Sequence, residues 1–140
     1  MNLRSAATIT SAFFMLSGLG SASLLMNIAR AQAQQSIALK NGENIELGSV
    51  WFVANCRSIL MGVPEVEILE GPPGLTLSIK EAMVVPRRLN CANQVSGGIL
   101  VATAKDITEP VQGKLTYRIK YKTKDGDRQR SDTYNVSLFP

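Results

Sequence analysis

Apolar and polar residues alternate along most of the chain with a period of two, and no stretch after residue 34 sustains the 3.6-residue period of a helix. Successive side chains on a strand point to opposite faces, so this rhythm predicts half-buried strands. A short edge strand is predicted over 36–40 and a long one over 45–56. In the long one Val50, Phe52, Ala54 and Cys56 share a face while Trp51 and Val53 take the other, so both sides are expected to be covered. Residues 65–70 put Val66 and Ile68 on one face, and 75–79 put Leu75, Leu77 and Ile79 opposite Thr76 and Ser78. Strands are also predicted over 82–85 and 99–104, joined by the irregular stretch VPRRLNCANQVSGG. Short strands broken by turn residues at close intervals predict an all-β sandwich or barrel.

Two turns carry specific signals. Gly71, Pro72, Pro73 and Gly74 lie between two strand runs. Proline offers no N–H to a sheet and glycine accepts the φ values of a tight corner, so a rigid turn or crossover is predicted there. Near the C-terminus, KLTYRIKYKT and RQRSDTYNVSLF flank Lys124, Asp125, Gly126 and Asp127. Asp-Gly between alternating runs marks a hairpin. A two-residue Asp125-Gly126 loop sets Tyr117 opposite Tyr134 and Leu115 opposite Val136, with both apolar sets on one face.

The first 33 residues have a different character. Arg4 precedes an uncharged apolar run, AFFMLSGLGSASLLM, and then Ala31, Gln32 and Ala33. That order is the pattern of a secretory signal peptide cleaved after Ala33, leaving 34–140 as one sandwich-sized domain. Left uncleaved, the segment would be a membrane anchor, although its serines, glycines and Asn27 dilute the apolarity a span needs. Export to the periplasm or beyond favours joining Cys56 to Cys91, the only two cysteines. Without histidine they make a poor zinc site, and their spacing is not that of a Cys-x-x-Cys redox pair.

PPGLTLS, Pro72 to Ser78, is similar to a stretch of bacterial immunoglobulin-like and cadherin-like surface domains, and ILVATAKD followed by a closing hairpin resembles the same group. The resemblance implies an immunoglobulin-like antiparallel β-sandwich with an extracytoplasmic binding or spacer role. The two cysteines stand closer in sequence than the usual inter-sheet pair, so the expected bridge pins a loop to the end of the Trp51 strand.

Chemistry is sparse. The sequence has no histidine, no phosphate-binding loop and no calcium loop, and Glu65 and Glu67 share a strand face as solvated side chains do. Neither metal nor cofactor is expected, and an enzyme is disfavoured. Formal charge is +4, of which Arg4 and Arg30 supply two, and most of the remaining positive charge falls in the C-terminal half. Arg118, Lys120 and Lys122 alternate along one face of the penultimate strand. Lys124 and Arg128 stand beside the turn, and Arg130 extends the rim. Such a face suits an anionic envelope glycan or lipid phosphate; it equally suits a solvated face or an edge guarded against aggregation. Nucleic acid is not expected, because no aromatics interleave with the charges. The pattern points to a non-enzymatic periplasmic or secreted binding module. Its partner meets the basic hairpin or adds a strand to an exposed sheet edge. The alternative is a small secreted inhibitor or envelope-stress accessory protein that uses the disulfide-tethered loop with Arg87 and Arg88.

Overall fold

The structure, a computed structural model, describes residues 34–140. The expected signal peptide or anchor and its cleavage point after Ala33 lie outside the described residues. The strands are β1 (Gln35–Lys40), β2 (Asn44–Val50), β3 (Val53–Ala54), β4 (Arg57–Ser58), β5 (Glu65–Glu70), β6 (Leu75–Val84), β7 (Val95–Ala104), β8 (Val111–Thr123) and β9 (Gly126–Phe139). A 3₁₀ turn at Arg87–Leu89 separates β6 from β7. One sheet runs β1-β9-β8-β5 and another β2-β7-β6, while β3 and β4 make a separate small hairpin. All neighbours are antiparallel except β1, which lies parallel to β9.

Alternation explains how the two sheets share a core. On β8, Leu115, Tyr117, Ile119 and Tyr121 are buried, while Lys114, Lys120 and Lys122 between and beside them are exposed. They pack in one cluster with Leu39 of β1, Val136 and Leu138 of β9, and Val50, Leu75, Leu100, Ala102 and Ala104 of the other sheet. The architecture is all-β and sandwich-like. A one-residue slip of β8 would turn its whole apolar set to water.

The Gly-Pro-Pro-Gly stretch is a turn between the sheets. The Leu75 N–H reaches the Pro72 carbonyl at 3.4 Å, and Gly74 at the third position has φ +85°. Proline at the second position and a left-handed residue at the third are the requirements of a type II turn. A Cβ on Gly74 would also stand 2.6 Å from the Lys105 carbonyl oxygen. The chain thus passes from β5 at the edge of one sheet to β6 at the edge of the other.

Three sequence expectations need correction. The predicted long strand over 45–56 ends at Val50, and residues 53–58 fold instead into the β3–β4 hairpin. Asn55 and Cys56 in its turn both have positive φ, 50° and 59°, the pattern of a tight two-residue type I′ turn. The strands predicted over 75–79 and 82–85 are one continuous β6, paired throughout with β7. The C-terminal hairpin is shifted two residues from the expected register. Thr123 pairs with Gly126, Leu115 with Tyr134 and Tyr117 with Asp132. Lys124 and Asp125 form the turn, and only Gly126, at φ +107°, leaves the ordinary φ range. This spares Asp125 the positive φ that an Asp-Gly type I′ turn demands, and the Thr123 hydroxyl donates to the Gly126 carbonyl at 2.6 Å. A two-residue shift preserves the faces, so the apolar sets still coincide.

Cys56 and Cys91 form the expected disulfide, with Cα atoms 5.4 Å apart. It ties the β3–β4 turn to the segment after the 3₁₀ turn. Gly74→Ala is expected to cost about 1–3 kcal/mol in chemical denaturation, whereas Lys105→Ala, trimming an exposed side chain, stays within about 0.5 kcal/mol. Replacing both cysteines by serine is expected to remove about 4 kcal/mol on the chain-entropy account of a loop this long.

Candidate functional site

The sequence singles out the basic hairpin, and the fold sets carboxylates among its cations. Along the outer face of β8, Arg118 stands between Glu67 of β5 and Ser131 of β9. Lys120 stands between Glu65 and Gln129, and Lys122 is opposite Asp127. The register expected from sequence sets Thr133, Ser131 and Gln129 opposite these three, all uncharged. Lys120 Nζ contacts Glu67 Oε2 at 2.9 Å, and Arg130 Nε contacts Asp132 Oδ2 at 3.1 Å. Lys124 sits exposed in the turn beside Asp125, and an Arg128 guanidinium N–H donates to the Asp127 carbonyl at 3.1 Å. The Arg118 Nε is buried without a hydrogen-bond partner among the described residues. The hydrogen bond and charge of Lys120, with a smaller share from Arg118, hold the Glu67 carboxyl below its usual range. A hollow of about 240 Å³ lies here, lined by Val63, Glu65, Lys120, Lys122, Asp127 and Arg128. Its walls carry both signs of charge.

A larger feature, which the sequence reasoning missed, opens between the sheets on the side of β2 and β9. β1 covers only residues 134–139 of β9, through pairs from Gln35 with Tyr134 to Lys40 with Phe139. The first half of β9, residues 126–133, therefore has β8 on one side and, among the described residues, no strand on the other. Across from it, β2 is likewise an edge, paired only with β7 among the described residues. Between them runs a groove of about 960 Å³. Leu47, Val50, Trp51 and Phe52 form one wall, and Tyr117 and Tyr121 of β8 contribute to its floor. Arg130, Asp132 and Tyr134 of β9 form the facing wall, while Arg87 and Arg88 stand at the mouth.

The aromatic lining is ordered by its own contacts. Phe52 and Tyr121 have ring centroids 5.5 Å apart in a tilted arrangement, and Tyr117 stacks near Tyr134 at 6.0 Å. Such pairs add to the stability of a wall beyond the area they bury. Burial pushes the Tyr117 phenol well up, helped by Tyr134 and Asp132, and burial likewise raises Tyr121. Both phenols are thereby held neutral, so the floor presents hydroxyl groups rather than charge. The disulfide shapes the mouth, because it links the hairpin that follows Phe52 to the segment that follows Arg87 and Arg88.

Volumes of this order are typical of ligand and peptide clefts. The arrangement combines apolar and aromatic walls, unpaired strand edges and arginines, which suits non-covalent binding of an extended chain. Among the described residues no group of three or more His, Cys, Asp or Glu is arranged to hold a metal ion. No family model, curated protein or solved structure matches the chain.

Carboxyl NMR titration is expected to show Glu67 with a midpoint below the ordinary glutamate value, moving back up in Lys120→Met. The pair's small contribution to stability is complete above the unfolded-state pKa and disappears as pH falls through the depressed folded value.

Proposed function

We propose that this chain is an exported, non-enzymatic binding module of immunoglobulin-like topology, acting in the periplasm or outside the cell. It engages its partner through the groove between β2 and β9. The disulfide is compatible with an oxidising location of this kind. Strand order supports the topology. β2, β7 and β6 correspond to strands B, E and D of an immunoglobulin sandwich, and β5, β8 and β9 to C, F and G.

The single observation that carries the functional reading is where β1 departs from that plan. In the constant-type sandwich the first strand lies beside the second; here β1 lies beside the last strand alone. Among the described residues the edge of β2 is consequently bare, and six-residue β1 is too short to cover fourteen-residue β9. A partner strand entering there would satisfy backbone groups that face solvent and bury side chains against the tyrosine floor. The groove also gathers in parts of both surfaces suggested by sequence: Arg130 from the basic hairpin, Arg87 and Arg88 from the disulfide-tethered loop. The 3₁₀ form of that loop presents no extended backbone of the kind strand addition uses, which favours the groove over the loop acting alone.

Photo-crosslinking of the full-length chain, expressed for export, tests this reading. A crosslinking residue at Ser49, exposed on the groove wall, is expected to capture extracytoplasmic partner protein, whereas one at Thr76, exposed on β6, is expected to capture none. Adducts formed only from Lys120 or Lys122 would move the binding surface to the hairpin face and overturn the groove reading.

A further inference from the structure

The groove has a chemistry as well as a location, and its significance rests on the binding role proposed above. Two edges flank the groove, and they are not equivalent. The register of β2 with β7 shifts between Glu46 and Gly48, and such a bulge interrupts regular pairing. On β9, residues 126–133 continue the uninterrupted ladder with β8. Residues 127–133 offer roughly 23 Å of regular edge at the rise of an extended strand. The docking edge is therefore β9.

Its inward side chains set the chemistry. Arg130, Asp132 and Tyr134 line the groove and share the face that carries Tyr117 and Tyr121 on β8, since each pairs with a residue of that set or lies two apart from one that does, whereas Arg128 lines the hollow beside Lys120 and Lys122. Arg130 is tied to Asp132 at 3.1 Å. Arg87 and Arg88 at the mouth are exposed and have no carboxylate within ion-pair distance among the described residues. Among the described residues the groove walls set three arginines against only Glu46 and Asp132 as acids, and Asp132 is already paired. Opposite charges facing each other across a strand pair are favourable, and like charges are not.

A second copy of this chain is a poor occupant. In antiparallel registers that keep the inward faces of both copies on one side of the joined sheet and the hairpin turn clear of β1, Arg128 or Arg130 falls opposite an arginine or lysine of the other copy. We infer that β9 between Asp127 and Thr133 accepts an extended, acidic segment of a partner polypeptide. Its carboxylates, on alternate residues facing the groove, meet Arg130 and the Arg87–Arg88 pair, while the intervening side chains point to the outward face. Gln129, Ser131 and Thr133 on the outward face are uncharged and polar and leave the outer side of that strand unconstrained.

The test uses the purified exported protein and two labelled, end-blocked ten-residue peptides, one alternating Glu and Val, the other alternating Lys and Val. Fluorescence anisotropy is expected to show the Glu peptide binding at least tenfold more tightly than the Lys peptide. In Arg87→Glu/Arg88→Glu that preference should shrink by at least tenfold, with an unchanged thermal midpoint. In Lys120→Glu/Lys122→Glu, on the opposite face of the sheet, affinity should stay within twofold. Equal binding of both peptides, or a loss confined to the Lys120 and Lys122 variant, would overturn the inference. Crosslinking from Ser49 to a partner together with such a result would leave the groove reading standing and remove only the acidic chemistry.

Discussion

Burial of alternate residues on β8 is the constraint to which the other elements answer. Leu115, Tyr117, Ile119 and Tyr121 face inward, and both neighbours of β8 must align with that face or lose their own apolar sets to water. β5 brings its glutamates alongside the lysines as a result, and β9 brings Val136 and Leu138 into the core. The same alignment carries the charged first half of β9 past the end of β1. The open groove is thus a by-product of one well-packed strand with a long partner and a short neighbour.

Much of the fold is legible in the sequence, because period-two alternation survives wherever one face is buried. The β5 run, the Gly-Pro-Pro-Gly turn and the pairing of Cys56 with Cys91 can each be read from residue types alone. The broken strand after Val50 cannot. Asn55 and Cys56 occupy left-handed turn positions, and cysteine gives no local sign of that conformation; the covalent tie to Cys91 holds it there. The hairpin register differs for a related reason. Asp-Gly suggests a two-residue turn, but keeping Asp125 at negative φ and leaving Gly126 alone in the strained region places the turn one residue earlier.

The site is less legible than the fold. A list of cations makes the hairpin look strongly basic, and only pairing shows that Glu65, Glu67, Asp127 and Asp132 stand among them. The groove is invisible to any local pattern, since it arises from strands distant in sequence and from a difference in their lengths. The one sequence hint is the contrast between the short first strand and the long last one. The tyrosines alternate as ordinary core residues do, and nothing in their spacing separates a groove floor from a closed interior.

The proposed strand addition at the groove depends most on β9 having an uncovered, usable edge. Amide hydrogen exchange on the purified protein measures that directly. In the free protein, alternate amides between residues 127 and 133, those turned away from β8, should exchange rapidly while the segment paired with β1 stays protected. The fast set should slow markedly once partner or acidic peptide is bound. Full protection of those amides in the free monomer, or no slowing with the groove occupied, would contradict it.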